Sequence, residues 1–151
     1  MLKKICRSFV RYNQQYYYFS DMKVKVDESN YVIFNPQIGG RVIELKLAGK
    51  QIIKGKYHGL DNSSYLMFPW VNRIEKVPYP NIEHPYKDGN GLPIHGLYVD
   101  SPRNATIFSI SEESIGIEMT PEVKYPDIPS FTETFTLTKG KFHQKIKVHN
   151  T

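Results

Sequence analysis

The sequence predicts an all-β, antiparallel fold, and three observations predict it. From Met22 onward apolar residues recur with a period of two over stretch after stretch. No stretch beyond residue 20 sustains a helical apolar period over ten or more residues. Composition points the same way: 11 Tyr and 8 Phe stand against a single Trp, and aromatic side chains favour strands.

Taken in order, Val24 and Val26 alternate with Lys23 and Lys25, and Tyr31 to Phe34 reads as a short apolar strand that Asn35-Pro36 breaks. Gly39-Gly40 offers the backbone freedom for a bulge or a tight entry. The next strand follows, with Ile43, Leu45 and Leu47 expected on one face and Glu44 and Lys46 on the other. Gly49-Lys50 turns it into Gln51-Ile52-Ile53, a hairpin. Residues 54–104 are irregular and hold six of the ten prolines, a length without pattern that a compact domain tolerates chiefly for function; a short strand near Tyr98-Val99 is expected within it. Alternation then resumes in four strands joined by short connections: Ala105 to Ser111; Ile115, Ile117 and Met119; Phe131, Phe135 and Leu137 opposite Thr132, Thr134, Thr136 and Thr138; and Phe142, Ile146 and Val148 opposite Lys141, His143, Lys145, Lys147 and His149. That succession is an antiparallel meander.

At 151 residues one domain is the default, long enough to bury a real core. Hydrophobic content of 40% and charged content of 23% are those of a globular chain. No apolar run approaches the ~20 residues of a membrane-spanning helix, so no membrane partner is expected. One cysteine, Cys6, excludes an internal disulfide framework and a cysteine-based zinc cluster, and a cytoplasmic setting is the expectation. The net charge of +5 raises nucleic acid as a partner, but no Lys/Arg stripe with interleaved aromatics occurs at strand spacing, so nucleic-acid binding is not expected. Metal and cofactor sites are not expected either: no His or carboxylate pair has ligand spacing, and no Gly-x-Ser-x-Gly or phosphate-binding glycine loop is present.

Residues 1–21 differ from the rest. Leu2, Ile5, Cys6, Phe9 and Val10 fall at helical spacing among Lys3, Lys4, Arg7 and Arg11, and no acid precedes Asp21. A mitochondrial-type presequence, a surface helix and an over-long start with Met22 as the true first residue all fit this atypical basic leader. The patterned domain is residues 22–151.

The chemistry concentrates in Phe68-Pro69-Trp70-Val71-Asn72-Arg73-Ile74 and in His95-Gly96. An aromatic, an amide, a guanidinium and an imidazole on loops are the usual makings of a polar ligand pocket. Arg73 offers five donors in a planar fork, which suits adjacent sugar hydroxyls; the plainer reading is a surface ion pair. Asn72 can donate and accept, or simply shape a turn. His95 is a ligand group or an ordinary loop histidine. Trp70 is a stacking platform or a core residue, with core favoured. His58 and His84 lie in the same irregular region and are weaker candidates.

The ordered set of motifs resembles the aldose 1-epimerase (galactose mutarotase) family over roughly residues 23–151. Gly39-Gly40-Arg41-Val42-Ile43-Glu44-Leu45 with Gly49 and Ile52-Ile53 resembles the family's opening hairpin. Phe68 to Ile74 resembles its Asn-Arg-Ile signature, and Leu92-Pro93-Ile94-His95-Gly96 its first His-Gly. Tyr125-Pro126 through Phe131 to Leu137, then Ile146 to Asn150, resembles the strands that lead to mid-chain. The resemblance implies an antiparallel β-sandwich, the galactose mutarotase-like supersandwich, that binds an aldohexose in a cleft and interconverts its α and β anomers without a cofactor. In that scheme Asn72, Arg73 and His95 hold sugar hydroxyls, while a histidine acid and a glutamate base move the protons.

Those two proton-moving groups belong to the family's second half and are expected beyond Thr151, so no catalytic residue is assigned within the chain and the chain alone is expected to be inactive. Glu133, on the core side of its strand, is a candidate acid or, more simply, a packing or pairing residue. The expectation is thus an incomplete sandwich, from a truncated gene, a split gene or an incomplete sequence, with open sheet edges covered by self-association or by a separate C-terminal half. The alternatives are a non-catalytic β-sandwich carbohydrate-binding or interaction module and a hexose-phosphate epimerase relative.

Overall fold

The computed structural model describes residues 21–54, 64–74, 79, 82–84 and 87–150. Cys6, His58 and the leader apart from Asp21 lie outside the described residues. Among the described residues eight strands form: β1 (Met22–Asp27), β2 (Asn30–Asn35), β3 (Arg41–Leu47), β4 (Lys50–Lys54), β5 (Arg103–Ser111), β6 (Ser114–Pro121), β7 (Ser130–Thr138) and β8 (Lys141–His149). They make two four-stranded antiparallel sheets in simple meander order, β1-β2-β3-β4 and β5-β6-β7-β8. The fold is an all-β antiparallel sandwich, and no helix among the described residues is long and apolar enough to cross a membrane.

The period-two pattern explains the layering. On β7 the apolar set Phe131, Phe135 and Leu137 is buried while its four threonines are half-buried on the other face. The inner faces of β1 and β2 lie over β6 and β7. Val24, Val26, Val32, Phe34, Val42 and Leu45 from one sheet meet Ile117, Met119, Phe135 and Leu137 from the other. Phe34 and Phe135 sit 4.9 Å apart at ring centroids, and Phe142 stacks on Phe135 at 5.6 Å. Burying each such ring contributes about 1.5–3 kcal/mol, which is why the alternation dictates the fold. Asn30, also buried, ties the two sheets at their ends: its carboxamide oxygen accepts from the Ala48 amide (2.9 Å) and from the Gly140 amide (2.7 Å).

Two local expectations are corrected. On β3 the core residues are Val42 and Leu45, not Ile43 and Leu45. The register with β2 slips between Ile33–Glu44 and Phe34–Val42, so Ile43 is the extra residue of a β-bulge, which shifts the side-chain phase by one. Tyr98-Val99 is not a strand: it is a buried irregular segment, with the Arg103 guanidinium donating to the Tyr98 and Ser101 carbonyls at 2.7 Å each in place of a ladder. On β8 the apolar residues take the expected inner face, since Val148 pairs with Phe131 and Ile146 with Glu133, yet Ile146 is 41% and Val148 48% exposed.

Candidate functional site

The described residues between β4 and β5 pack on a second apolar cluster, formed by Leu97, Tyr98, Ile128 and Phe131 with Leu66, Phe68, Trp70, Tyr79, Ile82 and Tyr125 around them. Phe68 meets Phe131 edge-on at 5.0 Å, and Tyr98 meets both Phe131 and Tyr125 edge-on at 5.2 Å. Trp70 belongs to this cluster, stacked on Tyr79 (6.5 Å) and beside His84 (5.6 Å). It is a packing residue, as favoured. His84 is buried too, with its Nε2 3.4 Å from the Tyr79 carbonyl.

This cluster brings the two sequence motifs together. Phe68 bridges to Gly96 in parallel sense, and Arg73 bridges to Ile94 in antiparallel sense. The His95 amide donates to the Asn72 carbonyl at 3.0 Å, the Ile74 amide to Pro93 at 3.2 Å, and the Leu97 amide to Phe68 at 2.9 Å. Asn72, Arg73 and His95 therefore stand on one continuous backbone platform although twenty-odd residues separate them. Gly96 makes the contact possible. Its φ is +86°, and a β-carbon there would lie 2.1 Å from the Phe68 carbonyl oxygen. Gly39 plays the same part against the Val99 carbonyl, 1.7 Å from where its β-carbon would be, so the first Gly of the Gly-Gly pair is required by close approach.

Arg73 is half-exposed, and its Nε donates to Oδ2 of Asp88, whose side chain is only 7% exposed. Asp88 also accepts from the Asn90 and Leu92 amides, each at 2.9 Å. These bonds hold its carboxyl below the ordinary aspartate value, the Leu92 amide foremost, with Asn90 and Arg73 adding to it and desolvation opposing. The surface ion pair weighed for Arg73 thus exists, and it orients one edge of the guanidinium. Asn72 is exposed, with φ +58°. The half-buried His95 ring meets Tyr65 edge-on at 5.8 Å, and Tyr65 lies under the Arg41 guanidinium at 4.4 Å. Arg41, buried, donates from Nη2 to Asp100 Oδ1 at 2.6 Å.

Tyr65, Arg41, Asp88 and Asp100 escaped sequence reasoning. Asp88 within Lys87-Asp88-Gly89-Asn90 looks like a turn aspartate, and its local amide bonds show that it is one as well. Arg41 and Asp100 are 59 residues apart, and nothing in a single sequence links them.

Glu133 takes the pairing role weighed for it. It is buried on the inner face of β7, with Oε2 3.7 Å from Arg103 Nε and Oε1 accepting from Gln144 at 2.9 Å. Burial pushes its carboxyl up, and Arg103 and Gln144 pull the other way without overcoming it. The Arg103 guanidinium lies 4.9 Å over the Phe131 ring. His143 is on the exposed outer face of β8, and the His149 Nε2 lies 2.9 Å from Thr132 Oγ1. Among the described residues, no three His, Cys, Asp or Glu side chains are grouped to hold a metal ion.

No family model, curated protein or solved structure matches the chain.

Proposed function

We propose that the chain is a carbohydrate-binding protein of aldose 1-epimerase type, with Asn72, Arg73 and His95 as its hydroxyl-recognising groups and an aldohexose as its ligand. One observation supports this most: the Asn-Arg and His-Gly motifs, apart in sequence, lie on a single platform joined by the His95–Asn72 hydrogen bond. An exposed amide, a guanidinium oriented by Asp88 and an imidazole meet the donor and acceptor needs of a neutral polyol.

Binding without proton transfer is the favoured form. Of the described carboxylates near the platform, Asp88 accepts three hydrogen bonds and Asp100 pairs with Arg41, while Glu133 is buried with Arg103. None of these is placed as a general base toward a ligand on the platform, and a positioned acid or base is typically worth about 10²–10⁴ in rate. The proposal includes a cytoplasmic location, for which the single cysteine is the support.

The test is binding of D-galactose and D-glucose by the full chain, followed by NMR. Arg73→Ala removes a charge-assisted donor and is expected to weaken binding by about tenfold or more, and His95→Ala is expected to weaken it as well. Absence of saturable binding, or binding that survives both substitutions unchanged, overturns the proposal.

A further inference from the structure

A cavity of about 280 Å³ lies beside the platform, lined by Leu97, Val99, Asp100, Ser101, Pro102, Val123 and Tyr125. It shares no residue with the Asn72–Arg73–His95 patch. It is connected to that patch along the backbone, where the Leu97 amide donates to the Phe68 carbonyl, and through a chain of contacts from Asp100 to Arg41, Arg41 to Tyr65 and Tyr65 to His95. Its volume is just under the usual range for small-molecule sites, which sets the scale of the ligand at no more than a single small ring.

The lining states the rest of the chemistry. Leu97 and Val99 form a fully buried apolar floor, and Val123, which is 42% exposed, stands as an apolar wall open to solvent. Tyr125 is half-buried, with its ring edge-on to Tyr98. Two polar groups interrupt this surface. The Ser101 hydroxyl oxygen is buried and has no hydrogen-bond partner among the described residues, a state that is unfavourable unless a partner arrives. The Asp100 carboxylate is partly exposed and already carries the Arg41 guanidinium. An ionised carboxylate accepts at about four lone-pair positions, so it retains capacity for donors. Because Arg41 balances its charge, the donors it favours are neutral hydroxyls rather than a second cation.

We propose that this cavity is a second polyol site, in which the apolar face of a monosaccharide ring lies on Tyr125 and Val123 while its hydroxyls donate to Asp100 and, after rotation of the serine side chain about its Cα–Cβ bond, pair with Ser101. The ligand class is that of the function proposed above; the geometry is independent of it.

The experiment is a galactose titration of the full chain followed by ¹H–¹⁵N NMR, with the Val123→Trp variant beside the parent. Val123 is at the surface, so tryptophan there obstructs the mouth of the cavity without emptying the core. Saturable shifts are expected at the Ser101, Val123 and Tyr125 amides, and Val123→Trp is expected to weaken the affinity read from the Ser101 and Tyr125 amides by about tenfold or more, corresponding to ~1.4 kcal/mol. Ser101→Ala, which changes one buried atom, is expected to weaken the same response severalfold and guards against a folding defect in the tryptophan variant. Shifts confined to residues 72–74 and 94–96 overturn the cavity proposal and leave the platform reading standing. Shifts confined to the cavity amides support it and overturn the platform. No saturable shift at either place, or cavity shifts indifferent to both substitutions, overturns it.

Discussion

Replacing Gly96 with alanine should separate the two halves of the platform. The new β-carbon would sit 2.1 Å from the Phe68 carbonyl oxygen and 2.4 Å from its carbon, at a residue whose φ is +86°. Two costs follow. A side chain in the left-handed region costs about 1–2 kcal/mol. Relieving the clash requires the Phe68 backbone to retreat, which breaks the 2.9 Å hydrogen bond from the Leu97 amide and leaves buried groups short of a partner, about 1–3 kcal/mol more. The sum, about 2–5 kcal/mol, is a large part of the 5–15 kcal/mol that a domain typically has. Gly140→Ala is the control: its φ is +74°, yet nothing lies within 4 Å of an added β-carbon, so only the conformational cost of about 1–2 kcal/mol applies. Urea denaturation of both variants measures the difference, read from the midpoint at constant slope. Equal losses in the two variants would refute the close-approach argument and with it the reason for Gly after His95.

Asn30→Ala should lower stability by about 2–3 kcal/mol, since it leaves the Ala48 and Gly140 amides without their acceptor; thermal denaturation checks this, and a loss below half that value contradicts it. Because the folded Asp88 carboxyl is held below its unfolded value, its stabilisation is fully present above about pH 4 and is lost as pH falls through the lower folded value; faster hydrogen exchange at the Asn90 and Leu92 amides in acid should report it, and Asp88→Asn should abolish that dependence. The chain should not accelerate mutarotation of galactose or glucose, and polarimetry showing a rate well above buffer would contradict binding without proton transfer.

Strand pattern was legible because burial on one face of a sheet imposes a period of two, as the alternating valines, phenylalanines and threonines of β1, β2 and β7 show. It failed at Ile43, where a bulge shifts the phase by one residue; a bulge depends on the partner strand and leaves no local mark beyond the preceding glycines. The exposure of Ile146 and Val148 was likewise invisible to pattern, since alternation names the inner face but not what lies above it. At the platform, residue types were legible and partners were not. Asn72, Arg73 and His95 were found as motif residues, whereas Arg41, Tyr65 and Asp100 meet only through contacts across 24 to 59 residues of chain. Glu133 stood out because an acid on an apolar face needs a counter-charge, and Arg103 is that partner.

The most direct test of the account is the galactose-induced NMR shift map of the unmodified chain. A single platform predicts that the amides of residues 72–74 and those of 94–96 (Ile74, His95 and Gly96 among them) shift together along one saturation curve. Shifts in only one of the two segments, or two curves with different midpoints, would contradict it.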